Sequence, residues 1–267
     1  MNLKMTSMKT IKKGSKGDEV KTLQKLLGVT VDGDFGPKTD EAVRHFQRMH
    51  DLVADGIVGA MTWAALGVTD SKCVDPSVVY LPLSVHVSRL PGRTIKYLAI
   101  HYTAGSSSVA GRARSIKHVF EQRQASADFA VDDAEMVQFN PDLRNYYCWA
   151  VGDPKQAGAT CVGANNRNTI SIEICSTLQR GTSVEKANHE GWSYTETALA
   201  NAVKLAKILM KKYGIPIERV VRHYDISGKL CPGIVGWNNG KLYTTDGKAT
   251  SMKNNSAKWE EFKRRLV

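Results

Sequence analysis

No stretch of this chain approaches the ~20 consecutive apolar residues that a membrane-spanning helix requires, so membrane insertion is not expected. The first residues, Met1 to Lys9, carry charge but no apolar core of a secretory leader, which predicts a protein made in the cytoplasm. Five cysteines (73, 148, 161, 175 and 231) are too few, odd in number and irregular in spacing to form a disulfide framework, which fits synthesis in a reducing compartment. Basic residues are not interleaved with aromatics in any run, which argues against nucleic acid as a partner even though 37 Lys and Arg face 26 Asp and Glu, a formal charge of +11. That excess suits an anionic polymer or surface, or simple solubility, with equal weight. A hydrophobic fraction of 42% over 267 residues supplies a real core and allows one medium and one small domain.

The N-terminal part reads as three short helices. Ser15 is placed as the N-cap of the first, with Asp18 three residues on; Val20, Leu23, Leu26 and Leu27 form its apolar face and Gly28 ends it. Pro37 opens the second, with Ala42, Val43, Phe46 and Met49 as its stripe, and a third carries Trp63, Ala64 and Leu66. An internal repeat runs through them. Asp32-Gly33-x-x-Gly36-x-x-Thr39-x-x-Ala42 recurs 23 residues later as Asp55-Gly56-x-x-Gly59-x-x-Thr62-x-x-Ala65. Each copy is a glycine-punctuated loop entering a helix, and turn geometry explains its glycines.

After a lead-in at 68–94, strand and helix patterns alternate. Tyr97–Thr103 reads as a strand, Val109, Ala113, Ile116 and Phe120 as a helix face, and Phe129–Val131 with Met136–Phe139 as a hairpin around Asp132 to Glu135. Thr169–Ile174 alternates as a half-buried strand. Ser193 and Glu196 read as a capping box opening the longest helix, whose inward residues are Leu199, Ala202, Val203, Ala206, Leu209 and Met210. Gly214 and Pro216 end that helix before a buried strand at Val220-Val221, and Trp259, Phe262 and Leu266 predict a short docking helix in an otherwise polar, Gly/Asn-rich tail. The fold class is α/β, a mixed sheet flanked by helices, with a small all-α three-helix N-terminal domain.

Two strand ends carry the chemistry. His101 lies at the end of Tyr97–Thr103, before a small-residue turn at 104–108. The second, Arg222-His223-Tyr224-Asp225-Ile226-Ser227-Gly228-Lys229-Leu230-Cys231-Pro232-Gly233, brings an imidazole, an amine and a thiol into one short loop. His and Cys are zinc ligands, and a catalytic zinc takes three protein ligands and keeps one position open. Taken alone, a strand-end histidine is ordinarily a hydrogen-bonded rim residue and a lone cysteine a small buried hydrophobe, so spacing leaves the ligand reading open.

Ala99-Ile100-His101-Tyr102-Thr103 together with Arg222-His223 and Lys229 through Gly233 resembles the type 2 zinc N-acetylmuramoyl-L-alanine amidases, which include phage lytic amidases and peptidoglycan recognition proteins. The resemblance covers residues 80 to 235. It implies a Zn2+ held by His101, His223 and Cys231, with an activated water that attacks the amide between N-acetylmuramic acid and L-alanine. It also implies Glu173 as the proton carrier and Lys229 as the oxyanion-stabilising cation, against the plainer readings of a surface strand glutamate and a solvated loop lysine. Some phage members use a tyrosine where Ser126-Ala127-Asp128-Phe129 places Ala127, and many have His where Asp128 stands; Asp128 becomes the reserve acidic residue if Glu173 takes no part. His86, His118 and His189 fit no motif and are read as structural or exposed.

The segment 9–67 resembles the three-helix peptidoglycan-binding domain of wall hydrolases, with 68–79 as linker and 80–267 as the catalytic domain. Exposed aromatics and loop groups near Asp34, Phe35 and Asp55 are its nominal wall contacts. Peptidoglycan is the implied partner, and a phage or prophage endolysin released at lysis the implied setting. A non-catalytic recognition protein is disfavoured because Cys231 is present, and an intracellular recycling amidase because an extra module points to polymeric substrate. Oligomeric state is not legible.

Overall fold

A computed structural model of the protein describes residues 9–50, 52–66, 74–104, 112–152, 160–161, 163–178, 186–244 and 246–267. Val109, the turn beyond 104, Cys73, the start of the chain and most of the expected linker lie outside the described residues. The chain divides into two compact units, Met1–Tyr80 and Leu81–Val267.

The first unit holds α1 (Asp18–Leu27), α2 (Pro37–Met49) and α3 (Ala60–Ala65). Ile11, Val20, Leu23, Phe35, Val43, Val58 and Trp63 form its core, with Leu27 and Leu66 packed against it. Pro37 at the first helical turn and Gly28 in the left-handed conformation (φ 69°) mark boundaries as the sequence predicts. Three expectations are corrected. Gly17, not Ser15, is the N-cap of α1; the Ser15 hydroxyl instead accepts the Lys12 N–H at 3.0 Å and closes the preceding turn. Leu26 and Met49 are exposed, because the third face position of each helix is taken by a buried glutamine, Gln24 or Gln47. Phe35, offered as a wall contact, has no exposed surface and is a core residue.

Those glutamines explain the repeat. Gln24 Nε2 donates to Asp32 Oδ1 (2.6 Å), the Asp34 carbonyl (2.9 Å) and Thr39 Oγ1 (3.1 Å), while its Oε1 accepts the Gly33 N–H (2.9 Å). Gln47 repeats the pattern with Asp55 (3.0 Å), the Ile57 carbonyl (2.9 Å), Thr62 (3.2 Å) and the Gly56 N–H (3.0 Å). One buried amide thus satisfies a whole Asp-Gly loop, and the loop glycines sit at φ 77° and 72°, where a side chain would be strained. Gln24→Ala and Gln47→Ala should each lower the stability of this unit by about 1–3 kcal/mol, because buried donors and acceptors lose their partners. Urea midpoints matching the parent would show that water replaces the amide at no cost.

In the second unit five strands pair in the order β3-β2-β4-β1-β5, where β1 is Tyr97–Tyr102, β2 Phe129–Val131, β3 Met136–Gln138, β4 Thr169–Ile174 and β5 Val220–Arg222. β2–β4, β4–β1 and β1–β5 are parallel and β2–β3 is the predicted antiparallel hairpin. Helices α4 (Arg112–Gln122) and α5 (Glu196–Tyr213) pack on this sheet. β4 is not half-buried: Thr169 and Ser171 are as enclosed as Ile170, Ile172 and Ile174. Parallel neighbours on both sides place it mid-sheet, and its polar face is covered by a network around Arg93 and Asp128 rather than by water.

The cap of α5 is Thr195, whose hydroxyl accepts the Ala198 N–H at 3.1 Å; Ser193 ends the short strand Trp192–Ser193. The buried stripe of α5 is Ala198, Ala202, Leu205, Ala206 and Leu209, so Leu199, Val203 and Met210 flank the core instead of filling it. The polar tail is anchored by buried asparagines. Asn188 and Asn238 exchange amide bonds (2.7 and 2.6 Å) and Asn254 joins them at 3.3 Å. Helix α7 (Ala257–Arg264), following the short helix α6 (His223–Ser227), seats Trp259 and Phe262 against Trp237.

Candidate metal centre

The parallel strands bring their carboxyl ends to one place, where open α/β sheets bind ligands. His101 and Glu173 are register partners on adjacent strands β1 and β4, so their side chains share a face. β5 pairs with β1 on the other side, and His223 is the first residue beyond it. The chain then makes the single short helix α6, turns at Gly228 (φ 75°) and returns Cys231 to His101. Arg222 fixes that return: its guanidinium and N–H hold Asp225 (2.6 to 2.9 Å) while Nη1 donates to the Trp237 carbonyl at 2.9 Å. Gly233 is needed for close approach, since a Cβ there would meet the Tyr102 hydroxyl and come within 2.8 Å of Ala187 Cβ.

The donor atoms of His101, His223 and Cys231 all lie within 4.8 Å of one another, and all three residues are buried. Cys231 Sγ is 3.7 Å from His101 Nδ1, close to the ~3.5 Å edge of a zinc tetrahedron with S and N ligands. Glu173 Oε1 lies 3.9 Å from the same nitrogen. His101 Nε2, His223 Nδ1 and Glu173 Oε2 are buried without a hydrogen-bond partner. Buried polar atoms ordinarily have partners, so the unpartnered His223 Nδ1 fits a cation-binding role, while on His101 the nitrogen facing the thiol is Nδ1 and the unpartnered one is Nε2.

Electrostatics point the same way. Burial, then the charges of His223 and Lys229, pushes the His101 pKa well down; burial and Lys229 bring His223 to about 4, against a smaller opposing pull from the Val151 carbonyl. Burial raises Cys231 to about 12 despite a hydrogen bond from the Tyr102 N–H and the charge of Lys229. Burial raises Glu173 to about 8, with Lys229 opposing. At pH 7 both imidazoles are therefore neutral and free to donate lone pairs, and the close His101–Glu173 contact is not an ion pair. Lys229 is exposed at the rim, yet its charge acts on all four groups. Tyr194, unremarked in the sequence, donates from its hydroxyl to the His101 carbonyl at 3.2 Å.

Asp128 does not belong to this centre as a reserve base. Its carboxylate is 1% exposed and fully engaged: Arg93 Nη1 at 3.4 Å, Asn140 Nδ2 at 2.6 Å and the Ser171 N–H at 2.8 Å. Arg93 in turn donates to the carbonyls of Tyr146 (2.8 Å), Asn166 (3.2 Å), Arg167 (3.0 Å) and Thr169. Asp128→Ala should therefore cost about 3–5 kcal/mol of stability by stranding a buried guanidinium. An Asp128→Ala protein as stable as the parent but inactive would reverse this assignment.

The three unplaced histidines stay apart. His86 Nδ1 donates to the Phe120 carbonyl (2.6 Å), His189 is buried with the Gly191 N–H on Nδ1 (3.0 Å), and exposed His118 meets Gln122 (2.9 Å). Among the described residues no other His, Cys, Asp and Glu group is set to hold a metal, and none of the four described cysteines is paired.

The family model for N-acetylmuramoyl-L-alanine amidase matches residues 91–234, which is more than half of the chain. The chain belongs to this amidase family. A second family model, for peptidoglycan binding domains, matches residues 16–66. Among relatives, the amidase CwlA of Bacillus subtilis (strain 168) is 32% identical over 137 residues, 51% of this chain and 43% of that protein. XlyB of the same organism is 34% identical over 51% of this chain and 37% of its own length. This amidase-family chain thus spans about two fifths of those curated relatives. Among solved structures, the catalytic domain of XlyA is 28% identical with a TM-score of 0.46, covering 71% of this chain and 99% of that one. The family match ends just past Cys231, so α7 and the asparagine-anchored tail lie beyond it.

Proposed function

We propose that this protein is a zinc-dependent, endolysin-like peptidoglycan hydrolase that cleaves the amide between N-acetylmuramic acid and L-alanine. The carrying observation is the buried cluster of His101, His223 and Cys231, with unpartnered histidine nitrogens, beside a buried and unpartnered Glu173 oxygen. A zinc ion held there supplies Lewis acidity, polarising a carbonyl oxygen and acidifying water. His101 and His223 bind it as neutral imidazoles and Cys231 as the thiolate. Glu173, protonated in the metal-free site, would be ionised by the charge of a bound dication; its Oε2 would then take the proton of the attacking water and return it to the alanine nitrogen as the C–N bond breaks. Lys229 at the rim balances negative charge growing on the carbonyl oxygen. Digestion of purified sacculi tests the bond: new alanine amino groups without new reducing sugar ends are expected, and reducing ends alone would replace the reading with glycan cleavage.

The first unit serves as a peptidoglycan-binding module that raises the local concentration of the catalytic unit on a polymeric wall. A chain shortened to residues 78–267 should still cleave soluble muropeptide, because every proposed site residue lies beyond 100, while binding intact wall less well. Equal wall pull-down by both lengths would refute targeting.

A further inference from the structure

Among the described residues Trp149 is the one aromatic of the exposed large hydrophobics (39%), yet its backbone N–H and carbonyl and its indole N–H are all hydrogen-bonded. Its N–H donates to Ser126 Oγ at 2.9 Å and its carbonyl accepts the Ser126 N–H at 3.2 Å. Its indole Nε1 donates sideways to Ser88 Oγ at 2.9 Å, and His86 packs against the ring at a centroid distance of 5.4 Å. The residues that follow are as fixed: Asn166 Oδ1 accepts the N–H groups of Ala150 (3.0 Å), Val151 (2.8 Å) and Gly152 (3.2 Å). Such rigidity is not required to bury apolar surface, because much of this ring stays in water.

The position borders the metal centre. Val151 packs with Ala99 and Val221, and its carbonyl touches the electrostatics of His223. Two residues of backbone separate Trp149 from Val151 by at most about 7 Å. With the indole N–H already bonded in the ring plane, what remains to offer a ligand is ring surface, which stacks on flat apolar faces. We propose that Trp149 is a stacking platform for a pyranose ring of the amino-sugar chain next to the scissile amide. Pyranose rings present such a face of C–H bonds, and fixing the indole in advance removes the ordering cost on binding. The choice of a glycan as ligand rests on the proposed wall-cleaving function.

The test titrates a peptide-free tetrasaccharide of β-1,4-linked N-acetylglucosamine into the zinc-loaded full chain by calorimetry. Trp149→Ala should weaken binding roughly tenfold, Trp149→Phe should keep most of it, and both should retain zinc. Should Trp149→Ala not fold, the parent's indole N–H resonance, assigned by its absence in Trp149→Phe, must shift on adding the tetrasaccharide. Unchanged affinity in Trp149→Ala, an unmoved resonance, or weakened binding of sugar-free L-alanyl-D-isoglutamine in place of the tetrasaccharide would overturn the platform. Tetrasaccharide binding that depends on Trp149 in a chain that cleaves no sacculi would overturn the function and leave the platform standing.

Discussion

Cys231→Ser, His101→Ala and His223→Ala should each lose zinc and wall cleavage together, the largest effect expected of any substitution in the chain. The three donors come from β1, the start of α6 and the loop beyond it, so each substitution removes one of three ligands. Proton release gives a second reading of the same site. Folded Cys231 has a pKa of about 12 and Glu173 about 8, whereas both histidines sit below their ordinary value, so at pH 7 the site holds its protons on the thiol and the carboxyl. Binding a dication should expel about one proton from Cys231 and a further fraction from Glu173. Calorimetric titration of zinc in buffers of different ionisation enthalpy measures that number. Release of no proton would mean that Cys231 does not bind as thiolate.

Glu173→Gln should retain zinc and lose about 10²–10⁴-fold in kcat, the usual span for a positioned proton carrier. The amide keeps the shape of the carboxyl but cannot accept the proton. Lys229→Ala should lose roughly 10²–10³-fold with zinc retained, and Lys229→Arg should restore part of it, since the guanidinium is larger and places its charge differently. Lys229 stands where a merely structural role gives another result: an exposed lysine, once replaced, changes stability by about 0.5 kcal/mol or less and leaves turnover alone. Near-parental kcat in Glu173→Gln would remove it from the mechanism, and Asp128 could not take over, because Arg93, Asn140 and Ser171 already occupy its oxygens.

The features legible in the sequence are those set by local pattern. The apolar run Tyr97 to Tyr102 and the Gly-rich return from His223 to Cys231 mark two strand ends bearing His101, His223 and Cys231; the resemblance, not the pattern, implies them as ligands, and the structure brings the three side by side. Helix ends announced by Pro37, Gly28 and Gly214 were equally legible, because a fixed φ or a positive φ is a property of one residue. Caps were less so. Ser15 and Ser193 are each displaced by two residues from the true caps, Gly17 and Thr195, since only three-dimensional entry of the chain decides which residue stands at the boundary.

What escaped was polar and non-local. Alternation along β4 looked half-buried because a polar residue buried by a partner looks like one facing water. Asp128 and Arg93 meet across 35 residues, and neither segment carries a pattern that names the other. Gln24 and Gln47 did carry a signal: they recur at the same 23-residue offset as the Asp-Gly loops, and their place among apolar positions marks them as part of the repeat. Phe35 and Trp149 show the limit for aromatics, since one is core and the other exposed with nothing in spacing to separate them.

The most direct measurement is reconstitution of the metal-stripped full chain with graded zinc, reading wall cleavage as released alanine amino groups against bound metal per chain. No cleavage is expected at zero metal, followed by a linear rise that saturates near one zinc per chain, with Cys231→Ser flat throughout. Full cleavage by the stripped chain, or saturation with zinc bound and no amino groups released, would contradict it.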